Sequence, residues 1–127
     1  MTVAAVTSLF SWRLGWALVL AGFLCGAALG LRFHRDDFLG GYGSFRRRML
    51  RLGHIALVAL GLLNVVFAIT PPPPSETPRA VATACFGAGA VLMPLLCFLT
   101  AWRSGFRRLF VVPVAALVAA VTLMLMR

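Results

Sequence analysis

Negative charge is nearly missing from this chain: Asp36, Asp37 and Glu76 are its only acidic residues, and lysine does not occur at all. Charged residues make up 12% of the 127 positions, about half of what a soluble domain carries on a surface that faces water. That shortage excludes an ordinary water-soluble globule. The three cysteines, Cys25, Cys85 and Cys97, form no CxxC pair and have no zinc-type spacing to histidine. Each stands in an apolar segment, where cysteine behaves as a small hydrophobe. Neither a Ser/His/Asp set nor paired carboxylates within the apolar runs nor a phosphate-binding loop occurs, so no enzymatic constellation is expected.

What remains is hydrophobic: 61% of the residues and a mean hydropathy of +0.97. Four uncharged runs, 14–31, 52–69, 80–102 and 109–126, carry most of it. The shortest of them reach roughly 27 Å at about 1.5 Å per residue, close to the roughly 30 Å of a bilayer's hydrocarbon core. Flanking Arg13, Arg51 and Arg127 can extend that reach by snorkelling. A segment in lipid must satisfy its own backbone hydrogen bonds, so each run reads as a helix. The expected fold is all-α and integral to the membrane: one four-helix domain over residues 1–127, built as two hairpins, with residues 70–79 as a proline-rich outer linker. Such a linker is stiff and extended and should hold the second and third helices apart. The first run lacks a basic start and a small residue before Cys25, so it is expected to be retained rather than cleaved.

The net charge of +9 comes from twelve arginines placed around the runs, not on one face of a soluble fold. That placement argues for topology and against nucleic acid as a partner. Arg32, Arg35, Arg46, Arg47, Arg48 and Arg51 lie between the first and second runs, and Arg103, Arg107 and Arg108 between the third and fourth. With nine of twelve on one side, the positive-inside rule puts both loops in the cytoplasm and both termini outside. A bacterial plasma (inner) membrane is the expected location, with anionic lipid headgroups against the cytoplasmic arginines. Trp12 and Trp16 would mark the outer interface and Trp102 the inner one. Residues 43–47 (GSFRR) and 104–108 (SGFRR) echo each other ahead of the second and fourth runs.

Two sets of residues are candidates for function. Gly22, Gly26 and Gly30 recur every fourth position, a zipper along which another backbone can pack closely, and Gly61 adds a small residue to the second run. The seam fits packing within the chain, self-association or docking onto a larger complex. His54 is the ionisable side chain within an apolar run, with Asn64 on the same broad arc. Met93 and Cys97, spaced by four residues, lie at similar depth, and His34 follows the first run. His54 with Met93 and Cys97, or with His34, has the ligand chemistry for copper or haem b. Pro94, inside the third run, should free the carbonyl of Ala90 and kink that helix.

No acidic residue stands in the first run, where small proton-coupled multidrug exporters carry theirs. Residues 22–33 resemble the glycine-rich first helix of dimeric fluoride channels, but residues 85–100 lack the Phe/Thr/Ser-rich stretch of that family. The expectation is therefore a non-enzymatic membrane protein without a cofactor, an accessory or self-associating subunit that meets other membrane subunits or itself. A haem- or copper-binding electron-transfer subunit built on His54 is the alternative, and a small transporter or channel the third.

Overall fold

The computed structural model describes residues 1–73 and 75–126. Pro74 and Arg127 lie outside the described residues, as does the snorkelling expected of Arg127. Helices account for nearly all of it: α1 (Val3–Phe33), α2 (Phe45–Ile69), α3 (Glu76–Trp102) and α4 (Val111–Leu125). A 3-10 turn at Phe38–Gly40 interrupts the first loop, and a 3-10 segment, Ser104–Phe110, leads into α4. There are no strands among the described residues. Four helical segments are long and apolar enough to cross a membrane, the last when Ser104–Phe110 is counted with α4.

Helices α1 and α2 start earlier than the uncharged runs because arginine is a good helix former and does not end a helix. Thr2 caps α1 by accepting from the Ala5 amide at 3.2 Å, and Ser44 caps α2 by accepting from the Arg47 amide at 3.2 Å. Each satisfies one of the amides that a helix start leaves without a partner. The first loop closes through Leu39 (φ 53°), Gly40 (φ 86°) and Gly41 (φ 92°). The two glycines take the left-handed region without strain, whereas Leu39 adopts it despite its side chain. Pro78 sits in the first turn of α3, where a missing amide costs nothing. The helix also continues through Pro94.

Close packing sets the register between helices. A Cβ on Gly15 would stand 2.6 Å from the Gly61 carbonyl oxygen, and one on Gly61 would stand 2.8 Å from that of Gly15. Gly22 faces Val58, and Gly26 faces His54. Rising numbers on α1 thus meet falling numbers on α2, so the two run antiparallel with their backbones nearly touching. Helix α3 has small residues on several faces; it receives side chains from two neighbours and sends one to the third. Gly87 meets Phe10 and Leu14 of α1, and Gly89 meets Leu117 of α4, while Phe98 of α3 itself fills the space over Gly53 of α2.

Successive helices pack on one another along the chain. α1, α2 and α3 pack on one another, while α4 rests on α3 with almost no backbone approach to α1 or α2. The proline-rich linker does not hold α2 and α3 apart either: they are packed more extensively than α3 and α4. The physical reason is local. Arg79, at the start of α3, donates to the carbonyls of Ala68 and Thr70 at the end of α2, and draws the helix ends together. Beside it, Phe67, Ala82, Phe86 and Ala120 form the buried core, with the Phe67 and Phe86 rings 4.8 Å apart.

Candidate functional site

His54 lies on the face of α2 that meets α1. Its Nδ1 is 2.8 Å from the carbonyl oxygen of Gly22. A carbonyl only accepts, so Nδ1 carries the proton and donates it. The ring lies over Gly26, where the missing side chain leaves room for it. Gly22 and Gly26 therefore have a specific local use: one supplies the acceptor and the other the space.

The remaining candidates are distributed rather than gathered. Gly61 is on the His54 face of α2 and meets Gly15, a partner that the four-residue zipper pattern passes over. Gly30 meets nothing within 4 Å and is exposed. Asn64 is fully buried and turns toward α3, where its amide nitrogen donates to Leu60 O at 3.0 Å and reaches Phe86 O at 3.5 Å. His34 caps the end of α1 and is exposed. His54 packs at Gly26, eight residues earlier, so the two histidines are separated by about 12 Å along the axis. Met93 and Cys97 line an apolar groove with Leu52 and Ala56 of α2 and Leu117 of α4. At about 100° per residue, Leu52 and Ala56 stand roughly opposite His54 around α2. His54 and the Met93/Cys97 pair thus face different sides of one helix. Among the described residues no three His, Cys, Asp or Glu side chains come together to hold a metal ion.

Two arginines that the sequence presents as topology charges are structural. Arg47, in the first turn of α2, is 2% exposed. It donates to the carbonyls of Phe33 and Arg35, where α1 ends. Its guanidinium lies 4.8 Å from the Phe33 ring centre and 5.7 Å from that of Phe38. Arg79, in the first turn of α3, is also 2% exposed. It donates to Thr70 O at 3.1 Å and Ser8 Oγ at 2.7 Å, and lies 4.9 Å from the Phe67 ring centre. Both do the same work: a planar, many-donor cation covers the last carbonyls of the preceding helix while its face rests on an aromatic ring. The readable signal is an arginine in a first turn following a helix that ends near Phe. The second GSFRR-like echo does not reproduce it, because Arg107 and Arg108 are exposed in a 3-10 segment.

Arg46 is exposed and borders a recess of about 510 Å³ at the arginine-rich end, between Leu39–Arg46 and Thr100–Ser104. Arg46 lies across its rim with its guanidinium 5.7 Å from the Trp102 ring centre. Comparison with protein families, with curated proteins and with solved structures finds no match to this chain.

Proposed function

We propose that the chain is a small polytopic membrane protein without an enzymatic site, an accessory or self-associating subunit of a membrane complex. In this reading both arginine-rich loops face the cytoplasm and both termini the outside, the helices form two hairpins across a bacterial inner membrane, and the nine-to-three arginine bias sets the orientation. The observation that carries the functional reading is how the polar groups within the apolar spans are used. His54 binds the Gly22 carbonyl, Asn64 binds Leu60 and Phe86, and Thr83 binds Arg79 O at 2.8 Å. They hold helices and turns rather than line a path. The outer faces of α4, which packs chiefly on α3, are the natural surface for another subunit or a second copy.

Cross-linking in the native membrane tests this. A cysteine-free chain carrying Val118→Cys, at a position 60% exposed on α4, is expected to give a homodimer or a single adduct of defined mass on oxidation or with a short bifunctional reagent. A chain that stays monomeric in its native membrane, or that purifies with a haem absorption band or stoichiometric copper, contradicts the reading. Reporter fusions at Ser75 and Gly105 test the orientation. The first is expected outside and the second inside, and the reverse pattern overturns it.

A further inference from the structure

The recess at the arginine-rich end and the apolar groove between α2 and α4 lie on one line. Phe45 and Met49 of α2 are one turn apart, and the stripe continues through Leu52, Ala56 and Ala59. On α3, Ala101 in the recess is one turn from Cys97 in the groove. Residues four apart share a helix face, so the two depressions follow each other along the same pair of helices. The recess is polar at its rim and the groove, of about 500 Å³, is wholly apolar. Arg46 lies with its face toward Trp102, which leaves the guanidinium edge free to donate to an oxyanion. Thr100, 1% exposed, lines the recess, and its hydroxyl has no hydrogen-bond partner among the described residues. Apolar contact alone does not select an occupant; an oxyanion site joined to an apolar groove does.

We propose that this continuous depression binds one anionic glycerophospholipid, its phosphate at Arg46 beside Thr100 and one acyl chain in the groove between α2 and α4. A headgroup at the recess lies at the depth of the cytoplasmic interface, and the groove runs from there toward the bilayer centre. The bound lipid fills the gap left where the backbones of α2 and α4 hardly approach each other. The proposal rests on the membrane placement given above but not on the accessory-subunit reading.

The test uses the full chain purified in mild detergent and native mass spectrometry with phosphatidylglycerol or phosphatidylcholine of identical acyl chains. One phosphatidylglycerol per chain is expected to survive activation that strips phosphatidylcholine. Arg46→Ala should weaken retention about fivefold, the factor that about 1 kcal/mol per basic residue at an anionic surface converts to. Arg107→Ala removes the same charge from the other arginine-rich segment, outside the recess, and should leave retention within about twofold. Ala59→Trp, which fills the groove from its lipid-exposed side, should also weaken it. Equal losses in Arg46→Ala and Arg107→Ala would reduce the effect to diffuse charge and overturn the site. Equal retention of the two lipids would overturn it as well. Full displacement by glycerol 3-phosphate at millimolar concentration would show an anion site without a chain in the groove, again against the proposal. A chain recovered in the aqueous fraction without detergent would defeat both the site and the membrane placement.

Discussion

Arg47 and Arg79 stand at opposite ends of α2 and perform one task in two settings. At the arginine-rich end, Arg47 is buried among Arg46, Arg48 and Arg51, of which the first two are exposed and the third half-exposed. At the other end Arg79 has no arginine beside it in the sequence, and Arg13, further along α1, is exposed. Counting charges treats all of these alike. The structure separates them: two close helix ends, and the rest remain at the surface. The comparison teaches that a charge bias gives a membrane protein its orientation through many weak, interchangeable residues, while single arginines of the same sequence are irreplaceable for local reasons.

Breaking the two ends one at a time sharpens this. Arg79→Ala should cost the most, on the order of 3 kcal/mol, because it strips donors from two half-buried carbonyls and from Ser8 and opens space beside the buried Phe67. Arg79→Lys should recover only part, since a point-charge ammonium cannot serve several acceptors while lying flat on a ring. Arg47→Ala should cost about 2 kcal/mol, because the Phe33 and Arg35 carbonyls it releases adjoin an exposed loop that water can enter. Denaturation of detergent-solubilised variants measures each, and a larger loss at Arg47 than at Arg79 would reverse the ranking.

The glycines give a second contrast, within α1. Gly15→Ala forces a methyl against the Gly61 carbonyl and should cost about 2 kcal/mol, since backbone on both sides cannot yield without spreading the helices. Gly30→Ala meets open space and should be neutral or stabilise by about 0.5 kcal/mol through better helix propensity. Similar melting shifts for the two would mean that the α1–α2 contact is looser than described. A small effect is also expected of His54→Gln. An amide can still donate to the Gly22 carbonyl, so a loss of about 1 kcal/mol or less is expected, with the fold retained. A collapse of the fold on that change would show that the ring's shape over Gly26, not its hydrogen bond, secures the contact.

The four helices were legible in the sequence because hydrophobic length is a property of composition, independent of partners. Their ends were less so: a run of uncharged residues stops at Arg13 and Arg51, but helical hydrogen bonding does not. Gly22 and Gly26 could be seen as a seam from their spacing. Gly15 could not, because it pairs with Gly61 seven residues before Gly22 rather than four, and Gly30 shares the spacing while facing nothing. His54 could be recognised as an inward polar residue, but its partner could not. A backbone carbonyl carries no mark in the sequence, whereas Met93 and Cys97 suggest ligands by their chemistry and lie on the far side of α2. The buried arginines were hidden for a related reason. Their acceptors are carbonyls released by the preceding helix, so they emerge only when helix ends and ring positions are known together.

The measurement that bears most directly on this account compares Arg79→Ala with Arg13→Ala in one denaturation experiment on the purified chain. The two variants lose the same charge and shift the arginine bias equally. If Arg79 secures the junction of α2 and α3, its variant should unfold at a midpoint lower by an amount on the order of 3 kcal/mol, while Arg13→Ala stays within about 0.5 kcal/mol of the parent. Equal midpoints for the two variants would contradict the account and return Arg79 to the role of an ordinary topology charge.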